Sequence, residues 1–416
     1  MRVDRILSRT AAEARPYQRD VICDVTNMFL GEYLNLAGQC EEAVQSTLVE
    51  SPTGSGKTFM GHCIAKTMQE EMPDLTIGWV AMRRNLLAQA ARENAALGVN
   101  VQNIHYVSMF DKRPEGLLAA RAAGKPIMMV MDEAQHDAAE SAAHLHNMLE
   151  PSLILGLTAT PFRTDRMKLC FQKVVRRAGI HQLIQDGYLS RYESYTLPSW
   201  SPQVVFDHYM NDPALWGKSI FYFVDTDQCE QLMRLFASRE DEILAILHEK
   251  RPDMPVKRVA ELVVGSTSQT YREEQLERFK TGETACLVNC MVLTEGFDDP
   301  TLETAWVRDS SKGPTIQMAG RAFRLHPEWK RNRDKRFRLK KIVQSKATKW
   351  PINKTATADQ QYVWQNDEWY SLKVNPHLAL INHNARVAIA QTEVVLPKFI
   401  TDKMAKRRSL RRIRLA

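Results

Sequence analysis

A glycine-rich segment near the N-terminus constrains the fold of this 416-residue chain more than any other feature. Its sequence is SPTGSGKT, from Ser51 to Thr58, and it lies between an apolar run, Thr47–Glu50, and a helical stretch, Phe59–Glu70. Glycines in such a loop let backbone N–H groups turn toward phosphate oxygens, and a helix N-terminus adds partial positive charge. We expect Lys57 to reach the β- and γ-phosphates of a nucleotide and Thr58 to bind Mg²⁺. The strict pattern begins with glycine rather than serine, but its Gly-x-Gly-Lys-Thr end is intact.

A pair of acidic residues downstream indicates nucleotide hydrolysis. Asp132 and Glu133 end an apolar run within the segment Met129–His136, whose sequence is MVMDEAQH. In a parallel sheet the carboxyl ends of the strands meet at one edge, where the phosphate loop also lies. We therefore expect Asp132 to hold Mg²⁺, directly or through water, and Glu133 to orient and deprotonate the attacking water. Because acids often begin loops, the pair is informative only together with the phosphate loop.

Short apolar runs alternate with helical stretches over two successive parts of the chain. The runs are apolar on both faces, which is typical of parallel strands buried under helices. The sequence therefore predicts an α/β fold with two tandem parallel-sheet lobes. A proline-containing stretch after residue 197 and a change of pattern near 345 divide the chain into lobe 1 (1–197), lobe 2 (198–345) and a small basic C-terminal extension (346–416). The expected strands are Thr47–Glu50, Thr76–Ala81, Ile127–Met131, Ile154–Thr158, Ile220–Val224, Leu262–Val264, Cys286–Asn289 and Thr304–Val307.

Composition and charge limit the classes of function. Apolar residues make up 44% of the chain and charged residues 25%, which fits a globular protein with a sizeable core. No apolar run approaches the roughly 18 residues of a membrane span, and the scattered cysteines fit reduced thiols, so we expect a cytoplasmic protein with no membrane partner. The net charge of +7 is uneven, since residues 328–416 hold 21 Lys/Arg against 7 acids. This excess indicates contact with a polyanion, or a solubilising tail.

A series of motifs resembles those of the superfamily 2 helicases and translocases, and the resemblance extends from residue 15 to about 325. The specific matches are to motifs I, II, III and VI, whereas those to motifs Ia and IV are weak. In chain order the segments are Arg15–Gln18 (RPYQ, the Q-type motif), Ser51–Thr58 (motif I), Val80–Leu87 (VAMRRNLL, motif Ia), Asp132–Gln135 (DEAQ, motif II), Leu157–Pro161 (LTATP, motif III), Phe221–Asp225 (motif IV), Leu293–Pro300 (LTEGFDDP, motif V) and Gln317–Arg324 (QMAGRAFR, motif VI).

The resemblance implies two RecA-like lobes that bind ATP and Mg²⁺ at the cleft between them and move along nucleic acid. The implied catalytic residues are Lys57, Asp132, Glu133, Gln317, Arg321 and Arg324, with the two arginines as arginine fingers on one helical face. The implied nucleotide-binding residues are Arg15, Gln18, Gly54, Ser55, Gly56, Lys57, Thr58, Gly296 and Asp298, and the implied metal ligands are Thr58 and Asp132. The residues implied to contact the nucleic-acid backbone are Arg83, Arg84 and Thr294.

Three motifs together are most similar to the DNA-repair and restriction-type branch of the superfamily: RPYQ, TATPFR and TEGFDDP. That branch includes XPB-like and RadD-like helicases, restriction translocases and phage fork-remodelling helicases. We therefore expect an ATP-dependent DNA helicase or translocase of phage or prokaryotic replication, recombination or repair, in the host cytoplasm if phage-encoded. Two alternatives stay open. An RNA helicase would be stimulated by RNA, and a non-hydrolysing binding subunit would have no need for the intact catalytic set.

Aromatic residues in the C-terminal extension predict a β-hairpin. Tyr362–Trp364 and Glu368–Tyr370 flank a polar pair, Asn366–Asp367, which is typical of a tight turn. On such a hairpin both tryptophans and Tyr362 share one face, whereas Tyr370 points the other way. The rings on the shared face either pack on lobe 2 or stack on nucleic-acid bases.

Overall fold

The computed structural model describes residues 2–35, 37–136, 140–161, 171–290, 292–293, 297–332, 334–372 and 390–391. The chain divides into two compact units. The first comprises residues 1–51, 56–177 and 386–416, and the second comprises residues 52–55 and 178–385. Each unit is built on one mostly parallel β-sheet, which confirms the predicted α/β class. Within these described ranges, no helix is both long enough and apolar enough to cross a bilayer.

Seven strands form the sheet of the first unit: β1 (Ser46–Glu50), β2 (Thr76–Ala81), β3 (Ile104–Ser108), β4 (Ile127–Asp132), β5 (Leu153–Thr158), β6 (Lys173–Val175) and β15 (Ala390–Gln391). Their spatial order is β15-β6-β1-β5-β4-β2-β3. Neighbouring strands are parallel, except that β15 runs antiparallel to β6. The carboxyl ends of β1, β5, β4, β2 and β3 therefore lie at one edge of the sheet.

Helices bury both faces of this first sheet. The helices are α1 (Arg2–Leu7), α2 (Pro16–Leu30), α3 (Lys57–Glu71), α4 (Arg84–Ala96), α5 (Glu115–Ala122) and α6 (Glu140–Leu149). Successive strand residues point to opposite faces, so Met128 of β4 joins the hydrophobic cluster that contains Ile64 of α3, and Met129 joins the cluster that contains Leu117 of α5. This double burial explains why the strands are apolar at every position.

Eight strands form the sheet of the second unit: β7 (Arg191–Leu197), β8 (Ser219–Phe223), β9 (Arg258–Val263), β10 (Thr284–Cys290), β11 (Thr304–Trp306), β12 (Leu339–Ser345), β13 (Gln360–Gln365) and β14 (Glu368–Leu372). Their order is β14-β13-β7-β12-β11-β8-β10-β9, and only the β13–β14 pair is antiparallel. The helices are α7 (Ile180–Gln185), α8 (Pro202–Asn211), α9 (Pro213–Trp216), α10 (Thr226–Ser238), α11 (Glu240–Lys250), α12 (Gln269–Thr281) and α13 (Lys312–Gly320).

The division between the units differs from the boundaries expected from sequence. The first unit ends at residue 177 rather than 197, because β7 pairs with β12 along its whole length in the second sheet. The proline-containing stretch after residue 197 connects β7 to α8 inside the second unit. The expected boundary at 345 is also displaced, because β13 pairs with β7 and extends the same sheet. Residues 346–372 therefore complete the second unit instead of forming a separate extension.

The predicted hairpin is confirmed, and its rings pack on the second unit. Trp364 lies directly opposite Trp369, and the turn residues Asn366 and Asp367 have φ values of 50° and 59°, as a two-residue hairpin turn of the primed type requires. The ring of Tyr362 stacks on Tyr195 of β7 at 4.7 Å, and Trp369 meets the same ring edge-on at 5.0 Å. The shared face therefore belongs to the hydrophobic core, which favours packing over base stacking.

Candidate active site

The phosphate loop has the backbone conformation expected from its glycines. Gly54 and Gly56 have φ values of 84° and 83°, in the left-handed region that favours glycine. Gly56 is the N-cap of α3, so Lys57 and Thr58 begin that helix. The Ser51 N–H donates to the Thr158 carbonyl at 2.9 Å, which ties the loop to the end of the neighbouring strand β5. These residues present a helix N-terminus and its backbone N–H groups to an anion.

The two residues of the RPYQ motif that are expected to bind the nucleotide lie beside this loop. The Arg15 N–H donates to Oε1 of Gln18 at 2.9 Å, so the N-terminal end of α2 is closed by its own glutamine. Gln18 is buried, and a Cβ added to Gly56 would lie 2.5 Å from its Nε2. A side chain at this position would displace the Gln18 amide, and the positive φ of Gly56 also favours glycine. The structure thus brings Arg15 and Gln18 beside Gly56 of the phosphate loop.

Asp132 and Glu133 end β4 at the same sheet edge. Asp132 is paired in register with Leu157 of β5, whose next residue, Thr158, pairs with Glu50 of β1. Burial raises the pKa of the Asp132 carboxyl, and the Glu133 carboxylate raises it further, whereas the Lys57 ammonium opposes both. A divalent cation beside Asp132 would favour its charged form. The Thr58 hydroxyl at the start of α3 and the Asp132 carboxyl are oxygen donors of the kind that Mg²⁺ uses beside nucleotide phosphates.

Glu133 is held in a strained conformation and linked to motif III. Its φ of 54° is unusual for a residue with a side chain and marks strain of the kind stored at functional sites. The Gln135 amide donates to Oε2 of Glu133 at 3.1 Å, and the Thr158 hydroxyl donates to Oε1 of Gln135 at 2.6 Å. The Thr160 N–H donates to the Thr158 hydroxyl at 3.0 Å. Gln135 was recognised as part of motif II, but its hydrogen bonds to Glu133 and Thr158 were not expected.

In the second unit, the motif VI arginines bind residues of motif V. Arg321 is buried at the end of α13, and its Nη1 donates to the Phe297 carbonyl at 2.8 Å. Arg324 forms an ion pair with Asp298, with Nε 2.9 Å from Oδ1. Gln317 lies on α13. Asp298 is therefore joined to a predicted catalytic arginine, whereas Gly296 and Thr294 lie outside the described residues.

The expected nucleic-acid contacts in the first unit lie just after β2, and an unexpected loop follows β3. Arg83 is the N-cap of α4 and Arg84 its first residue, just beyond β2. The next loop begins where the Met109 N–H donates to the Ala81 carbonyl at 2.9 Å. It exposes the ring of Phe110, which is 60% accessible, together with two cationic side chains, Lys112 and Arg113. Sequence reasoning missed this loop because a single phenylalanine at the start of a polar turn has no periodic signal.

Two family models match the chain. The model described as "Type III restriction enzyme, res subunit" matches residues 11–116, and "Helicase conserved C-terminal domain" matches residues 216–326. They fall on the two units described above, in the order that the motifs predict. These matches, together with the relatives described below, support a superfamily 2 helicase of the restriction and repair type. The predicted family is thus confirmed.

Relatives share about a quarter of their residues with this chain. The putative mitochondrial ATP-dependent helicase irc3 of Schizosaccharomyces pombe is 26% identical over 363 residues, covering 77% of this chain and 56% of the yeast protein. A 51.5 kDa protein of a Lactococcus phage is 26% identical over 265 residues, covering 61% of this chain and 56% of the phage protein. The chain therefore spans little more than half the length of these relatives.

Solved structures confirm the two-lobe fold. The Mycobacterium smegmatis helicase Lhr, bound to ssDNA and AMP-PNP, has a TM-score of 0.52 and 17% identity, covering 83% of this chain and 47% of its own. The Type ISP restriction-modification enzyme LlaBIII, bound to DNA, has the same TM-score and 13% identity, covering 80% of this chain and 27% of its own. At such low identity the similarity describes the fold alone.

Proposed function

We propose that this chain is an ATP-hydrolysing motor that moves along DNA, in phage or prokaryotic replication, recombination or repair. The linked group at the carboxyl edge of the first sheet carries the proposal. This group comprises the phosphate loop, the acidic pair and the Gln135–Thr158 hydrogen bond, at the ends of the adjacent strands β1, β5 and β4. The yeast relative named as an ATP-dependent helicase supports the same activity.

The side chains divide the hydrolytic chemistry among them. Lys57 at the start of α3 binds the β- and γ-phosphates, while backbone N–H groups of the loop surround them. Thr58 and Asp132 would hold Mg²⁺, which would supply positive charge toward the phosphate oxygens. Glu133 accepts a proton from the attacking water, and the amide of Gln135 fixes the direction of its carboxylate. Arg321 and Arg324 of the second unit stabilise the charge that develops on the transferred phosphoryl group.

DNA contact is assigned to the basic residues at the ends of β2 and β3. Arg84, Lys112 and Arg113 are exposed cations that can bind phosphates without reading sequence. The exposed ring of Phe110 lies in the same loop, where it can stack on a base. Binding through backbone charge and one ring suits a motor that must pass along any sequence.

An ATPase assay with different nucleic acids tests the proposal. ATP turnover would be measured with single-stranded DNA, duplex DNA, forked DNA and RNA at equal nucleotide concentration. We expect DNA to raise turnover more than RNA does, and the Glu133→Gln variant to remain inactive with all four as a control for contaminating enzymes. Stronger stimulation by RNA would establish the RNA helicase alternative. An absence of turnover with every ligand would instead indicate a non-hydrolysing binding subunit.

A further inference from the structure

Cationic side chains contact every residue of one segment of the second unit. The segment is Phe297–Leu302, which contains the end of motif V and leads toward β11. Its first two residues are held by the motif VI arginines, since Arg321 binds the Phe297 carbonyl and Arg324 pairs with Asp298. The remaining four residues are held by two lysines that belong to no recognised motif.

Lys218 is the first of these lysines and immediately precedes β8. It is 4% exposed, and its Nζ lies 2.7 Å from Oδ2 of Asp299, which is 3% exposed. The same ammonium donates to the Thr301 hydroxyl at 2.6 Å and to the Lys280 carbonyl at 3.0 Å. One buried cation thus fixes two residues of the segment and joins them to the end of α12.

Lys340 is the second lysine and lies within β12. Its side chain is completely buried, and its Nζ donates to the Pro300 carbonyl at 3.0 Å and to the Leu302 carbonyl at 2.6 Å. Burial lowers its pKa to about 8, against the opposing effect of Glu303 and Asp299. The Lys340 ammonium therefore binds both carbonyls that flank Thr301.

Two buried ammonium groups at one segment are costly to retain. Removing an ammonium from water costs free energy, and well-packed apolar residues are often as stable as a buried ion pair. Lysine also binds through a flexible stem, so it can direct one charge at several acceptors. A core that required only packing has no need for cations here. Holding in place the loop that carries the Asp298–Arg324 ion pair gives the two buried lysines a role.

We propose that Lys218 and Lys340 are positioning residues that fix the Phe297–Leu302 segment and thereby hold Asp298 where it orients the Arg324 guanidinium for ATP hydrolysis. This inference rests on the proposed ATPase function. Asp298 and Asp299 are neighbours with different partners: the first faces the motif VI arginine, and the second faces the buried lysine. A displacement of Asp299 is therefore transmitted over one residue to the arginine.

The test separates positioning from stability by removing both buried charges. Lys218→Met alone leaves Asp299 buried without its lysine, so we expect a lower unfolding temperature and slow turnover. Lys218→Met with Asp299→Leu removes the unpaired charge, and most of the unfolding temperature should return. We expect kcat of this double variant to stay about tenfold or more below that of the unmodified chain, with little change in KM for ATP. Recovery of kcat together with the unfolding temperature would overturn the inference.

Three comparisons complete the experiment. The matched control is the exposed pair Lys257 and Glu283 of the same unit, 3.3 Å apart, where Lys257→Met with Glu283→Leu should leave kcat unchanged. In an Arg324→Ala background the Lys218/Asp299 double variant should add no further loss of kcat, because its effect passes through that arginine. An independent loss would contradict this.

Hydrogen exchange of residues 297–302 should be faster in the double variant. Unchanged exchange would overturn this inference whether or not the chain hydrolyses ATP. A lack of ATP hydrolysis by the unmodified chain would contradict only the proposed function.

Discussion

Glu133 combines a strained backbone, a carboxylate hydrogen-bonded to Gln135 and a position beside Asp132. We expect Glu133→Gln to bind ATP but to lose turnover by about 10²-fold or more, because an amide cannot accept the proton of the attacking water. Lys57→Ala should lose both turnover and tight binding, since it removes the charge that faces the phosphates. Turnover and the binding of a fluorescent ATP analogue would be measured in parallel. Substantial hydrolysis by Glu133→Gln would contradict the role given to it.

The motif VI arginines are expected to act on rate rather than on ATP binding. Arg321→Ala and Arg324→Ala should bind ATP nearly normally, yet an arginine finger contributes about 10³–10⁵ in rate. Arg321 also supports the Phe297 carbonyl from a buried position, so its substitution should lower the unfolding temperature more than that of the partly exposed Arg324. Single-turnover hydrolysis and thermal unfolding would be compared for both variants. Losses below about tenfold in both would exclude the finger role.

His62 makes the stability of the first unit depend on pH. It is buried on α3, stacked on Trp79 at 4.2 Å, and burial lowers its pKa to about 4. The unfolded histidine takes up a proton near pH 6.5, and the folded one does not. Above that pH the titration of His62 therefore takes nothing from the free energy of unfolding. Stability is then lost as the pH falls toward 4, by about 1.4 kcal/mol per unit. Urea unfolding at pH 7 and pH 5 should show a smaller loss for His62→Leu than for the unmodified chain, by about 2 kcal/mol. Equal losses would show that His62 titrates normally in the fold.

At the scale of elements, the hairpin β13–β14 offers a pair of adjacent residues with opposite environments. Trp369 contacts Tyr195 and Trp364, whereas the next residue, Tyr370, is 44% exposed. We expect Trp369→Ala to lower the free energy of unfolding by about 2 kcal/mol or more through the loss of packing, and Tyr370→Ala to change it by less than about 0.5 kcal/mol. Chemical denaturation would measure both. A larger effect of Tyr370→Ala would mean that the hairpin packs with its other face.

Strands that are apolar at nearly every position could be predicted from the sequence, whereas β3, with its polar positions, and two strands that bury charges could not. β2 matches its predicted bounds, and the predicted β1, β4 and β5 differ by one residue at an end. β7 and β12 were missed because they contain Glu193 and Lys340, which break the apolar run but are buried through ion pairs and hydrogen bonds. Such partners come from distant parts of the chain, and no local pattern reveals them. The boundary near 197 was wrong for the same reason.

The candidate site shows the same limit. Its phosphate loop, acidic pair and arginines each form a short local motif, so the sequence was sufficient to name them. The approach of Gln18 to Gly56 and the hydrogen bond between Gln135 and Thr158 required the packing of separate elements. The lysines that bind the Phe297–Leu302 segment have no motif at all. Function was therefore predictable where chemistry is local, and not where it depends on support from other strands.

At the scale of the whole molecule, the uneven charge can be tested without removing any described element. Residues 346–372 contain three Lys/Arg and three acids, so the net positive charge of residues 346–416 lies after residue 372. Residues 392–416 alone hold eight Lys/Arg against two acids. A chain ending at Gln391 keeps the hairpin and both sheets, whereas a chain ending at Ser345 would lose β13 and β14 and uncover β7.

We expect this shortened chain to retain ATP turnover in the absence of nucleic acid and to bind a labelled single-stranded oligonucleotide more weakly. Each lost phosphate contact should flatten the slope of log affinity against log salt by about 0.7–0.9, so the slope should fall by several units. A full-length chain with these eight basic residues replaced by glutamine is the matched control, because it removes the charge but keeps the length. If both variants keep the original slope, the basic segment does not contact phosphates, and its charge serves solubility or a protein partner.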